Sequence, residues 1–274
     1  MPTPSNDVIE TLLNRVSVRK YTDQPVSEEM LDTILKTAFR APTSSNIQTY
    51  SVVVVRDQER RDALMAACGN QKHIGTAPVF LAFCADLTRI EDALVRNGHN
   101  IDSNNLETGL VSALDAGLVG MSAYLVADSL GLKGVMIGGA RNKPVEVARI
   151  LGLPPRVFCV FGMCLGWPAE APAQKPRMDY DGLVHFEQYG KSRSGADATA
   201  IVDSYDGALA EHYRSQGRET TDASWSDDMD KKFAPPLRDD LRERVRQCVA
   251  HDAGDLPQAL QLGGFHIGRL HHVQ

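Results

Sequence analysis

The longest apolar stretch of this chain, from Leu106 to Leu130, constrains the fold more than any other segment. Leu106, Leu110, Ala113, Leu114, Leu118, Met121, Leu125 and Ala127 recur at helical spacing yet put apolar groups on more than one face. A helix lying on a surface buries a single stripe, so this one must sit in the middle of a core or against a second copy of the chain. Asn104 with Glu107 three residues on reads as a capping box, and Gly131 is placed to end the helix. No uninterrupted apolar run approaches the roughly 20 residues that cross a bilayer, so no membrane partner is expected.

Around that helix the patterns alternate. A helical stripe of Val8, Ile9, Leu12 and Leu13 is entered from Ser5 or Asn6. Ser27 caps a second helix with Leu31, Ile34, Leu35 and Ala38 on its inner face, ending at Pro42. Residues 50–55, 79–85, 135–137 and 157–165 read as buried strands, and helices are expected over 58–67 and from near Pro144. After Pro168 the composition turns polar and proline-rich. An extended or looping connection runs through 191–199, helical patterns resume at 205–213 and 236–249, and residues 254–274 read as a poorly ordered or partner-draped tail. Short strands alternating with helices around one very apolar helix point to an α+β or α/β sandwich.

A net charge of −6 gives no electrostatic support to nucleic-acid binding. The five cysteines form no CxxC pair, and Cys84, Cys159 and Cys164 fall inside apolar strand-like runs, where they read as small buried hydrophobes. The first residues carry neither a basic nor an apolar leader region, so the cytoplasm is the expected location.

The chemistry-bearing residues are scattered. Arg15, Ser17 and Arg19 alternate with Val16 and Val18. They read either as a solvated basic edge or as three groups turned toward one ligand. Thr43, Ser44, Ser45, Asn46 and Gln48 are either a polar turn or a donor-rich loop before a buried strand, where unpaired amides would be costly. Gly138-Gly139 lacks dinucleotide-fingerprint spacing but lets a backbone approach a flat ligand closely. Lys175 and Arg177 flank Pro176, either for solubility or to present two cations rigidly. Cations, hydroxyls and backbone N–H groups suit a phosphate, and amides suit a planar heterocycle, so the set suggests a phosphorylated flavin. His73 follows Gln71-Lys72 and reads either as a ligand contact or, better, as a satisfied surface histidine. His266, His271 and His272 lack acidic or thiol companions, so no metal site is expected.

In their order and spacing, Arg15-x-Ser17-x-Arg19, 41–48, 69–73, 134–142, 162–168 and Lys175-Pro176-Arg177 resemble the FMN-dependent nitroreductase family, in its oxygen-insensitive, flavin-reductase-like branch, over about 6–235. The resemblance implies an α+β, three-layer fold with a central, mostly antiparallel sheet flanked by helices, in an intertwined homodimer with FMN at the subunit interface. The helix over 106–130 would form the interface core. Arg15, Ser17, Arg19, Lys175 and Arg177 would hold the phosphate and ribityl chain, with Val16 in contact through its backbone. Thr43, Ser44, Ser45 and Asn46 of the partner, with Gln48 beside them, would meet the phosphate end and the ring edge. Gln71 would bond the pyrimidine edge, and Ile137, Gly138 and Gly139 would line the N5 side.

The implied reaction is ping-pong hydride transfer from NADPH or NADH through the flavin to nitroaromatics, quinones or free flavins, with no catalytic side chain of the protein's own. The branch usually has a basic cluster before its Trp-Ser-Asp loop to grip the NADPH 2′-phosphate. Here acids and neutral residues replace much of it, leaving Arg214 and Arg218 as candidates and implying a weaker preference for NADPH. A nitroreductase domain is expected over 1–245, with a helical excursion at about 200–245 and an extension over 246–274. The rival readings are a flavin destructase or reductive dehalogenase on the same scaffold, and a flavin-binding regulator without turnover.

Overall fold

The computed structural model describes residues 5–101, 106–191, 198–217, 224–234 and 237–249. Asn104, Arg218, His266, His271, His272 and the tail over 254–274 lie outside the described residues. The chain divides into two compact units. The larger takes its described residues from 5–13, 17–171 and 240–249, and the smaller from 14–16 and 172–239.

The larger unit opens with α1 (Asp7–Leu13) and α2 (Glu28–Ala38), then β1 (Tyr50–Val55), α3 (Gln58–Ala67), α4 (Lys72–Thr76), β2 (Val79–Asp86) and α5 (Thr88–Arg96). It continues through α6 (Leu106–Ser129), β3 (Lys133–Ile137), α7 (Pro144–Leu151) and β4 (Val157–Gly166). Asn6 Oδ1 accepts from Ile9 N at 3.0 Å, which settles the first cap, and Ser27 Oγ accepts from Met30 N at 3.1 Å to cap α2. Gly131 ends α6 with φ +87°, a conformation that L side chains adopt at a cost.

The sheet runs β1-β2-β4-β3, and every neighbouring pair is antiparallel. Its middle is buried on both faces. Phe80, Ala82 and Cys84 of β2 pack with Leu64, Ile74 and Val147 from α3, α4 and α7. On the opposite face, Val79, Leu81 and Phe83 pack with Ile34 of α2 and with Val119, Ala123 and Tyr124 of α6. Helices therefore cover both sides of one sheet, the three-layer α+β arrangement expected from the family resemblance. It also explains why β2 reads as a continuous apolar run rather than an alternating one. Cys68, Cys84, Cys159 and Cys164 are buried free thiols within the first of these clusters. The α6 helix is long and apolar enough to cross a membrane by length and composition alone. In this fold it buries Ser112, Asp115 and Tyr124 against the rest of the unit.

The short helices α4 and α5 went unrecognised, because five and nine residues show too little periodicity to separate a helix from a loop. Residues 15–19 lie outside the named strands, and Tyr21 pairs with Pro168 in an isolated antiparallel bridge.

The smaller unit holds α8 (Tyr180–Leu183), α9 (Ala198–Ser215) and α10 (Trp225–Phe233). Trp225, Ser226 and Asp227, expected as a loop, are the first turn of α10. The Asp206 carboxylate of α9 accepts from the Ser226 N–H at 2.9 Å and from its hydroxyl. Finally α11 (Leu241–Val249), which starts five residues later than the expected 236, packs on α7 and β4 of the larger unit.

Candidate functional site

In the larger unit the Gly138-Gly139 pair comes to lie against Gln71. A β-bulge where β2 meets β4, between Phe83 and Cys84, leaves Val160 out of register. Its carbonyl accepts from Arg141 Nη1 at 2.6 Å, which anchors the 3₁₀ turn over Gly138–Arg141 that follows β3. A Cβ on Gly139 would fall 2.4 Å from both the Cys68 carbonyl oxygen and Gln71 Nε2, so only glycine fits. Gln71 donates to the same Cys68 carbonyl at 2.9 Å, fixing its amide beside the glycines. Burial pushes the Cys68 thiol up to about 12, so the sulfur is inert and its backbone does the positioning. The buried Ile137 leads into the turn.

Ser17 and Arg19 belong to an ordered edge of this unit. Val18 N donates to Gly134 O at 3.1 Å, and Arg19 N donates to the Glu170 carboxylate at 2.7 Å. The Arg19 guanidinium is exposed and forms no ion pair among the described residues. His73 is half-buried, not a satisfied surface histidine. Its Nε2 is buried without a hydrogen-bond partner among the described residues. Burial, then the nearby Arg19 charge, lowers its pKa from 6.5, with Glu170 pulling the other way. Arg19 and His73 are thus electrostatic neighbours, a proximity with no local signal in the sequence.

The segment over 43–49 has an unusual backbone. Ser45, Asn46 and Gln48 all have positive φ, at 45°, 58° and 53°. Two residues that sequence reasoning missed hold this shape. Asp115 of α6 accepts from Ser44 N at 3.0 Å, Thr49 N at 3.1 Å and Thr49 Oγ1 at 2.9 Å, while completely buried. Arg89 of α5 donates to Gln48 O at 3.0 Å and to Tyr50 O. A buried carboxylate survives only when its oxygens are satisfied, and here backbone donors satisfy it. The one available signal was an acid in the middle of the chain's most apolar helix. Beside the segment lies a cavity of about 390 Å³, lined by Ser44, Ser45, Ile47, Leu94, Thr108 and Val111 among others.

The smaller unit brings together Arg15, Val16, Lys175 and Arg177. Gln174 Nε2 donates to Arg15 O at 3.2 Å, tying 14–16 to the Lys175-Pro176-Arg177 stretch. Lys175 and Arg177 form no ion pair among the described residues. Arg214, by contrast, is bound to Glu211 through Nε at 3.1 Å and Nη2 at 2.6 Å.

Comparison with known proteins adds two family matches. The Nitroreductase family model matches residues 12–167, and the Nitroreductase family C-terminal domain matches residues 175–248. An NAD(P)H FMN reductase of Bacillus subtilis is 37% identical over 248 residues, covering 87% of this chain and 97% of that protein. An oxygen-insensitive NADPH nitroreductase of Salmonella typhimurium is 36% identical, covering 80% and 88%. Among solved structures, NfrA2 of B. megaterium superimposes with a TM-score of 0.84 at 36% identity, covering 89% of this chain and 97% of that one. An NADPH:FMN oxidoreductase from Vibrio harveyi complexed with NAD+ gives 0.79 at 33%, covering 89% and 98%.

Proposed function

The chain belongs to the nitroreductase family, and on that footing we propose that it is an FMN-dependent NAD(P)H oxidoreductase that reduces nitroaromatics, quinones or free flavins. The observation that carries this reading is the state of the cations. The side chains of Arg19, Lys175 and Arg177, the cations that the resemblance assigns to the phosphate, form no ion pair among the described residues, which leaves their charges to an outside anion. Basic side chains without an ion-pair partner suit a dianionic phosphate.

The residues proposed to hold FMN are Arg15, Val16, Ser17, Arg19, Gln71, Ile137, Gly138, Gly139, Lys175 and Arg177. Thr43, Ser44, Ser45, Asn46 and Gln48 are proposed to act from a second copy of the chain. Bound FMN would supply reversible two-electron chemistry, accepting and passing on a hydride. The protein's part is to orient the ring edge through the Gln71 amide and the Gly138-Gly139 backbone, and to favour negative charge through its cations.

The homodimer belongs to the same reading, supported by the exposed leucines of α6. So does a cytoplasmic setting. For the nucleotide, Arg214 already engaged by Glu211 favours a weak grip on a 2′-phosphate, and hence use of both NADH and NADPH.

The test is an absorbance spectrum of the purified protein, followed by anaerobic addition of NADH or NADPH and then of a nitroaromatic. A yellow chromophore that bleaches and recovers is expected, with kcat/KM for NADPH exceeding that for NADH by less than about a hundredfold, because one exposed charge contact is worth little. A protein that stays colourless after incubation with FMN overturns the proposal. A chromophore that never bleaches leaves a binder without turnover.

A further inference from the structure

Helix α9 carries two tyrosines whose hydroxyls meet the cation-bearing stretch of the smaller unit. Lys175 Nζ donates to Tyr213 Oη at 2.9 Å and lies 5.1 Å from the centre of the same ring. Tyr205 Oη donates to Pro176 O at 3.2 Å, and Arg177 Nη1 donates to Pro176 O at 3.0 Å and Lys175 O at 3.3 Å. The backbone of 175–177 is thereby pinned, and the lysine ammonium is steered separately by the Tyr213 hydroxyl and ring.

A merely structural tether would need no contact to the ammonium. Lys175 is exposed, covers no core and has no carboxylate partner among the described residues. A neutral hydroxyl orients an ammonium without neutralising it, which leaves the positive charge available to an anion. The aromatic face adds to that orientation. A lysine stem otherwise surrenders considerable rotamer freedom when it grips a ligand, and ordering it beforehand lowers that cost.

We propose that Tyr213 is a positioning residue for the cofactor's phosphate, holding Lys175 Nζ oriented before the ligand arrives, with Tyr205 fixing the backbone beneath. The inference rests on the reading of Lys175 as a phosphate ligand. Riboflavin, which has the same ring and no phosphate, separates the two.

The experiment titrates apoprotein with FMN and, in parallel, with riboflavin, following flavin fluorescence, for wild type, Tyr213→Phe, Tyr213→Leu, Lys175→Met and the Tyr213→Phe/Lys175→Met double variant. The phenylalanine keeps the ring and loses the hydroxyl, so FMN affinity should fall about three- to tenfold with riboflavin affinity unchanged. The leucine loses both contacts and should fall further. Lys175→Met should weaken FMN by about ten- to a hundredfold, and adding Tyr213→Phe to it should change nothing more, because the partner is gone.

If Tyr213→Phe leaves the FMN-to-riboflavin ratio untouched while Lys175→Met lowers it, the positioning role is overturned and the phosphate site stands. If both variants leave the ratio untouched, Lys175 is no phosphate ligand and both ideas fall. Equal losses for FMN and riboflavin in Tyr213→Phe would reveal a structural role and also overturn the proposal. Should Tyr213→Leu fail to fold, the phenylalanine variant still decides.

Discussion

A single carbon atom tests the geometry around Gly139. A methyl group there has two atoms 2.4 Å away, and one of them is a backbone carbonyl that cannot swing aside. Gly139→Ala must therefore displace either the 3₁₀ turn or the Gln71 amide, breaking the hydrogen bond to Cys68 O. We predict a loss of about 1–3 kcal/mol in urea-unfolding free energy. FMN affinity should also be at least about tenfold weaker by fluorescence titration, because one oriented hydrogen bond is lost. Unchanged values for both would mean that the turn moves freely and does not set the site.

His73 offers a second test at this scale. Its folded pKa lies below 6.5, so between 6.5 and that lower value the unfolded chain binds more protons than the folded one. Stability therefore rises with pH across this window and is lost as pH falls through it. His73→Gln, which cannot charge, should flatten the decline in urea midpoint between about pH 7.5 and 5. An equally steep decline in the variant would assign the acid sensitivity elsewhere.

At the scale of elements, the segment over 43–49 and its two supports show what could be read from the sequence and what could not. The strands β1, β2 and β4 and the helices α2, α3 and α6 were legible because each presents a long enough apolar pattern to outweigh local ambiguity. The polar segment was legible as a donor-rich turn. Its left-handed residues were not, since Ser45, Asn46 and Gln48 carry no glycine signature, and their conformation is imposed from α6 and α5 by Asp115 and Arg89. The Gln71–Gly139 contact joins residues far apart in the chain, and only the fold supplies it.

Asp115→Asn retains one acceptor oxygen and turns an NH2 group toward backbone donors. It should cost about 2–4 kcal/mol in unfolding free energy because buried N–H groups lose their partner. FMN affinity should fall as well, by about tenfold in fluorescence titration, since the segment is proposed to meet the cofactor. A variant as stable as wild type would show that Arg89 alone fixes the segment.

For the whole molecule the deciding feature is the first half of α6. Leu106, Leu110 and Leu114 recur every fourth residue and remain 46%, 57% and 58% exposed, while Ser112 and Asp115 of the same helix are buried. Here Ser112 and Asp115 face inward and the leucines outward, the reverse of what an isolated subunit in water would favour. Val8, Leu12 and Leu13 of the neighbouring α1 are exposed as well, which extends the apolar surface. Such a surface calls for an apolar cover, and a second copy of the same stripe is the cover the family resemblance implies.

Burying one leucine is worth about 1.5–3 kcal/mol, and placing a carboxylate in the same contact adds a desolvation cost. The Leu110→Glu/Leu114→Glu variant should therefore raise the dimer dissociation constant by at least about a thousandfold, measured by sedimentation equilibrium. The apoprotein far-ultraviolet spectrum should hardly change, because neither leucine packs in its own subunit's core. Because the 43–48 segment is proposed to act from the partner, FMN retention should fall in step with dissociation. A variant that stays dimeric would place the contact on another surface. One that becomes monomeric yet keeps FMN at full affinity would show that each chain holds the cofactor with its own residues.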